Sequence, residues 1–157
     1  MAKKAPEEVL LENYQRVQSY FKEVVPEAGR FSVVYGNGVD VGLMNYVVVR
    51  TTTYKYTSYL IGYDPIALEI LLLPVDVELT QHGDPVMLRK SENKSAKHSK
   101  ITGQYTVKNN TLKKKYVQFS VPEYINEDPD NVCILVRQDD AAKAFNEFFK
   151  TRYVSQG

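Results

Sequence analysis

Cysteine is nearly missing from this 157-residue chain. Cys133 stands alone, which excludes an internal disulfide and any metal site built from a cysteine cluster. Histidine is almost as scarce, so only His82 and His98 can serve chemistry that needs an imidazole. Charge of one sign is not in excess either: 20 Lys plus Arg face 19 Asp plus Glu, a formal net charge of +1. That balance excludes a disordered polyelectrolyte and a globally basic nucleic-acid clamp, and leaves any electrostatic partner to a local patch. No apolar run approaches the roughly 20 residues that cross a bilayer. Residues 1–6 lack the apolar stretch of a secretory signal, so a cytoplasmic protein without a transmembrane segment is expected. With 43% hydrophobic residues, a chain of this length suits one domain with an appended element.

What is there begins with a helix. Pro6 suits a first turn, Glu7 and Glu8 follow where the helix dipole favours negative charge, and Pro26 with Gly29 ends the segment. Leu10, Tyr14, Val17, Phe21 and Val24 recur at intervals of four and three and form one apolar stripe. The stripe is expected to pack on its own domain; a coiled-coil dimer is the alternative, with too few heptads to sustain it. Residues 1–28 are therefore assigned to an N-terminal helix and 29–157 to a single β-rich domain with a closing helix.

Beyond Gly29 the chain turns to Val, Thr, Tyr and Ile, the residues of half-buried strands. The Asn-Gly pair at 37–38 predicts a tight turn over Gly36 to Gly38. Residues 46–63 contain no proline and would run about 60 Å as one strand, so a bend or split near Thr57-Ser58 is expected. Asp64-Pro65, Asp84-Pro85 and Asp128-Pro129 mark connections. The dense apolar run from Ala67 to Val77 predicts a central strand. Ile101, Gly103, Tyr105 and Val107 alternate with polar residues, as do Val117, Phe119 and Val121. One shared buried face then requires an antiparallel hairpin pairing Val107 with Val117 and Tyr105 with Phe119, with a loop from Asn109 to Lys114. Residues 132–136 predict a last strand buried on both sides, with Asp139 or Asp140 capping the helix after it. In that helix Ala141, Phe145, Phe148, Phe149 and Tyr153 share a face and form an aromatic wedge.

The order of elements predicts an α+β protein, mainly an antiparallel β sandwich or roll, with an N-terminal amphipathic helix and a C-terminal helix capping the β core. Over about residues 59–150 it resembles the bacterial pleckstrin-homology-like (PH-like) families. The likeness is carried by Tyr59-Leu60-Ile61-Gly62-Tyr63-Asp64, the strand Leu68 to Pro74, Gly83-Asp84-Pro85-Val86, a basic connection, the hairpin 101–121 and the helix from Ala142 to Phe149. The long N-terminal helix and the strands before position 50 depart from that pattern. The resemblance implies a binding or assembly module without catalysis.

Catalytic chemistry finds little support in the residues. His82 precedes a turn, and His98 sits among lysines that disfavour its protonated form and leave it on the surface. Cys133 between apolar neighbours is expected to be a buried, inert thiol. Glu123, Glu127, Asp128 and Asp130 gather four carboxylates without the spacing of a calcium loop. Gly36-Asn37-Gly38 lacks the Lys-Ser or Lys-Thr of a phosphate cradle. No catalytic residue, metal or cofactor is assigned. Tyr54 and Tyr56, on one face of a strand, form a candidate stacking surface for bases or sugars, against the plainer role of tyrosine at the margin of a β core.

Charge supplies the main candidate. Arg89, Lys90, Lys94, Lys97 and Lys100 outweigh the single Glu92 between residues 89 and 100, while the acidic group lies at 123–130. The basic segment is a candidate interaction surface, for a protein partner or self-association first, and for anionic lipid headgroups or nucleic acid second; a solvated loop is the plain alternative. The expected function is a non-enzymatic binding or assembly module. Two alternatives stand beside it: a small β-barrel holding a small molecule or flavin, possibly as an enzyme, and a nucleic-acid-binding module.

Overall fold

The computed structural model describes residues 6–39, 56–110, 116–125 and 133–154. Helix α1 spans Glu7–Val24, with Pro6 in extended conformation just ahead of it and the Pro6 carbonyl accepting from the Val9 and Leu10 amides. Its stripe is covered: Leu10, Val17 and Phe21 are buried, and Tyr14 and Val24 are partly so.

Seven strands follow in one antiparallel sheet: β1 Ser32–Val39, β2 Tyr56–Asp64, β3 Glu69–Val75, β4 Val86–Arg89, β5 Asn93–His98, β6 Gln104–Asn109 and β7 Tyr116–Ser120. Their order is β4-β3-β2-β1-β7-β6-β5. A second sheet pairs β8 Tyr124–Ile125 with β9 Val136–Arg137, and helix α2, Asp139–Phe148, leads into a wider π-type turn over Phe149–Tyr153. The protein is therefore α+β with two helices and two antiparallel sheets among the described residues.

Both faces of the large sheet are buried, which explains the dense apolar run near position 70. Ile70 and Leu72 face a cluster built with Tyr63, Tyr105, Phe119 and the aromatic residues of α2. Leu71, Leu73 and Val75 face the opposite cluster with Val17, Phe21 and Val136. This strand lies second from the sheet edge, between β2 and β4, and is not central. The hairpin register stands as expected: Val107 pairs with Val117 and Tyr105 with Phe119.

The ends of the strand order meet. β4 and β5 are opposite edges, yet only Lys90–Glu92 joins them. Four Cα steps reach at most about 15 Å, whereas six strand spacings in a flat sheet span about 29 Å. The sheet must curl, and side chains close the seam. Asn109, fully buried, donates to the Arg89 carbonyl at 3.0 Å and to Asn93 Oδ1 at 2.7 Å. The Tyr153 hydroxyl donates to the Leu88 carbonyl at 2.8 Å and approaches Asn93 Oδ1 at 3.3 Å.

Several expectations are corrected. Gly36, Asn37 and Gly38 form no turn: they lie inside β1, paired with Tyr59, Ser58 and Thr57. The glycines are needed because β7 crosses close by. A Cβ on Gly36 would sit 2.5 Å from Ile61 Cδ1 and 2.8 Å from the Ser120 carbonyl, and one on Gly38 would strike the Gln118 carbonyl. β2 keeps unbroken register with β1 from Tyr56 to Tyr63, so pairing continues through Thr57-Ser58; residues 46–55 of the expected bent or split run lie outside the described residues. Ile101 is not in a strand and is 96% exposed, at the apex of a turn closed by Ser99 and by Gly103 at φ +75°. The strand continues through Asn109, where a loop was expected, and 111–115 lie outside the described residues. Of the expected strand at 132–136, Val136 is in strand conformation, paired with Ile125, whereas Cys133, Ile134 and Leu135 are not. Cys133 is half-buried outside any strand, with Asn37 Nδ2 donating to its sulfur at 3.2 Å; Val132 lies outside the described residues.

The α2 cap also differs. Neither Asp139 nor Asp140 caps the helix; Gln138 occupies that position and makes no side-chain bond to it. Its amide instead completes the sheet. β1 meets β7 only at Asn37 and Gly38, which leaves the Tyr35 backbone short of a partner strand. Gln138 Oε1 accepts from the Tyr35 amide at 2.9 Å, and Nε2 donates to the Tyr35 carbonyl at 2.8 Å and to the Pro122 carbonyl at 2.7 Å.

The aromatic wedge is in place. Phe145 and Phe149 are fully buried, with ring centroids 5.0 and 4.7 Å from that of Tyr105. Phe145→Ala and Phe149→Ala should each lower stability by about 3–5 kcal/mol, read as a lower denaturant midpoint; wild-type midpoints for both would remove the wedge from the core. Gln138→Leu should cost about 1–3 kcal/mol for each buried Tyr35 group left unpaired, with hydrogen exchange at the Tyr35 amide accelerating beyond that of neighbouring β1 amides.

Candidate functional site

The five basic candidates separate in the structure. Arg89, at the end of β4, is tied down: its Nε donates to Glu69 at 3.0 Å, and its Nη1 lies 3.9 Å from Glu92. Glu69 is shared with Arg30, which also bonds Asp64 at 2.8 Å. Asp64 in turn caps the β2–β3 turn through the Ala67 and Ile66 amides, and these bonds, with Arg30, hold its carboxyl below the usual carboxylate range. Lys90 is also engaged, its Nζ donating to the Arg152 carbonyl at 2.8 Å.

Lys94, Lys97 and Lys100 differ. Lys94 and Lys97 are exposed on β5, Lys100 is exposed in the following turn, and none forms an ion pair among the described residues. Beside them an open cleft of about 670 Å³ is lined by Lys90, by every residue of β5, and by Tyr153 and Val154 from the end of the C-terminal turn. Among the described residues no carboxylate lines it. The segment thus resolves into a polar, basic cleft along one sheet edge, with Arg89 held in a surface ion-pair network with Glu69 and Glu92.

β5 occupies this place for a sequence reason. Register sets Ala96 opposite Val107 and His98 opposite Tyr105, so these two side chains share the face of buried residues. Lys97 pairs with Thr106 and takes the other face. Between Asn93 and Ser95 the register shifts, which sets Lys94 outside the regular alternation. His98 lies tilted over Tyr105 with ring centroids 4.4 Å apart, and Tyr105 accepts from Asn146 at 2.8 Å. Burial depresses the His98 pKa, and the nearby Lys150 and Lys100 charges add to the effect against a backbone bond from Gly103 that opposes it. The imidazole is neutral at neutral pH and half-buried, not a plain surface side chain.

The other candidates lie elsewhere. His82 is exposed, with Nδ1 2.9 Å from the Gly83 carbonyl and its ring edge-on to Tyr20, so it is far in role from any nucleophile. Tyr54 and the side chain of Tyr56 lie outside the described residues, as do Glu127, Asp128 and Asp130; Glu123 is exposed ahead of β8. Among the described residues no three His, Cys, Asp or Glu side chains gather as metal ligands, and no helix is long and apolar enough to cross a membrane.

Sequence reasoning missed the seam residues Asn93 and Asn109 and the lysine at 150. Asn109 stands where a turn is the obvious assignment for asparagine. Lys150 follows the Phe148-Phe149 pair, and the signal for it was the same helical spacing that exposed the wedge: the residue after a buried pair turns outward toward β5.

The His98 environment makes a pH prediction. Its folded pKa lies below the unfolded value near 6.5, so on acidification the unfolded chain takes up this proton first. Stability should fall as the pH drops through about 6.5 and return above it. In an NMR titration the His98 ring should titrate below the ordinary histidine range, and Lys150→Gln should move its midpoint upward; an ordinary midpoint in wild type would refute the burial and charge account. Comparison with protein-family models, curated proteins and solved structures finds no match, so the functional reading rests on this geometry.

Proposed function

We propose that this chain is a non-enzymatic binding or assembly module on a PH-like roll, with the Lys94–Lys97 side of β5 as its contact surface. The strand order β4-β3-β2-β1-β7-β6-β5, the curl that brings β4 to β5, and a C-terminal helix packed into the larger aromatic cluster support that roll. The observation that carries the function is the cleft: an edge strand, all of whose residues line it, offers lysines with no ion pair among the described residues and no carboxylate to neutralise them. Basic charge concentrated beside a concave surface selects acidic partners although the whole chain is almost neutral.

The small-molecule barrel gains nothing from the interior. Tyr63, Tyr105, Phe119, Phe145 and Phe149 occupy the space between the curled sheet and α2, with Tyr105 and Phe119 stacked at 5.5 Å.

The test is a double charge reversal. Exposed ion pairs contribute at most about 1 kcal/mol each, so Lys94→Glu with Lys97→Glu should weaken self-association or acidic-ligand binding about tenfold at low salt. The difference should shrink as salt is added. Wild-type behaviour in sedimentation and toward anionic vesicles and single-stranded nucleic acid would reduce the segment to a solvated edge.

A further inference from the structure

The two edges of the large sheet are finished differently. At β4 the Leu88 carbonyl receives the Tyr153 hydroxyl and the Arg89 carbonyl receives Asn109, so side chains of the same protein cover that edge. Among the described residues β5 pairs only with β6, and its outer side opens into the cleft. An edge strand presents backbone donors and acceptors at the spacing an added strand needs. Six residues give this edge a length of about 20 Å, and the cleft beside it falls in the volume range of built binding sites, about 300–1,000 Å³.

Charge decides what can be added. A second copy pairing β5 against β5 would bring Lys94 and Lys97 toward their own counterparts, and like charges across a strand pair are destabilising. An acidic strand meets the opposite situation. Lys94 and Lys97 are exposed, Lys90 lines the same cleft with its Nζ on the Arg152 carbonyl, and Lys150 and Lys100 lie close enough to His98 to depress its pKa; among the described residues no carboxylate lines the cleft. Val154, partly buried in its lining, adds an apolar side chain there.

Building on the binding-module reading above, we propose that β5 accepts an extended acidic peptide as an eighth strand, its backbone pairing with the β5 edge and its carboxylates meeting Lys94 and Lys97. Backbone pairing supplies register and the lysines supply the choice of sequence. A basic or neutral strand would gain the first without the second.

The experiment uses the full chain, isotopically labelled, with a ten-residue peptide of alternating Glu and Val at low ionic strength. A second peptide with every Val replaced by Pro keeps the charge and length but cannot form a strand. The expected result is slowed amide exchange confined to residues 93–98 with the Glu-Val peptide, at least about fivefold weaker binding of the Glu-Pro peptide, and about tenfold weaker Glu-Val binding by the Lys94→Glu, Lys97→Glu variant. Equal binding of both peptides, or binding without protection of β5, overturns the added strand while leaving a basic contact surface standing. Anionic vesicles or single-stranded nucleic acid that bind more tightly than the peptide assign the surface to those partners and overturn the peptide. A variant that changes binding to none of the three overturns the contact surface as well.

Discussion

Three residues between Arg89 and Asn93 bind opposite edges of a seven-stranded sheet to each other, and most of the architecture follows from that short connection. A sheet forced to curl has one enclosed face, which needs large side chains to fill it, and the aromatic residues of α2 and the following turn do so. It also has a seam where backbone groups of two edge strands lack strand partners. Such groups are costly to bury unpaired; Asn109 and Tyr153 satisfy the Arg89 and Leu88 carbonyls of β4, and Asn93 Oδ1 accepts from both of those side chains. Tyr153 belongs to both solutions, its ring packed against Phe148 and Phe149 and its hydroxyl on the seam. Desolvation raises its pKa above the ordinary phenol value, so the hydroxyl is protonated and a donor at neutral pH.

The parts of this fold that could be read from sequence are those in which side-chain period and burial say the same thing. The stripe from Tyr14 to Val24 and the face from Phe145 to Tyr153 each lie against one cluster, and the Tyr105–Phe119 register follows because a one-residue slip would invert a strand. The parts that could not be read are those in which a residue answers a distant backbone. Gly36 and Gly38 have turn chemistry but serve a close approach by β7, some eighty residues later in the chain. Gln138 stands beside two aspartates that look like caps, and its amide is committed to Tyr35. Ile101 continues an alternation in sequence that Gly103, with its positive φ, interrupts in space.

The candidate site shows the same division. A run of basic residues is visible in sequence, but Arg89 and Lys94 differ only in what stands nearby. Glu69 lies across the β3–β4 pair from Arg89, directly in register with it, and takes its charge. Lys94 falls where β5 and β6 slip register, and Lys97 lies across from Thr106, so neither finds a carboxylate across its strand pair. The surface charge of this protein is thus set by pairing geometry more than by composition, which is how a chain of net charge +1 carries a cleft with basic side chains and, among the described residues, no carboxylate in its lining.

An exposed edge strand ordinarily threatens aggregation, and lysines are among the residues that blunt it. Here the blunting and the proposed recognition are one property. Lys94 and Lys97 repel another β5 edge for the same electrostatic reason that they attract an acidic strand, so protection against self-pairing requires no feature beyond those that select the partner. The β4 edge follows a different logic: its Leu88 and Arg89 carbonyls accept from Tyr153 and Asn109. A protein that required only protection could have treated both edges as it treats β4. Leaving β5 open, polar and cationic costs stability that side-chain closure would supply, and that asymmetry is the physical argument for function at β5.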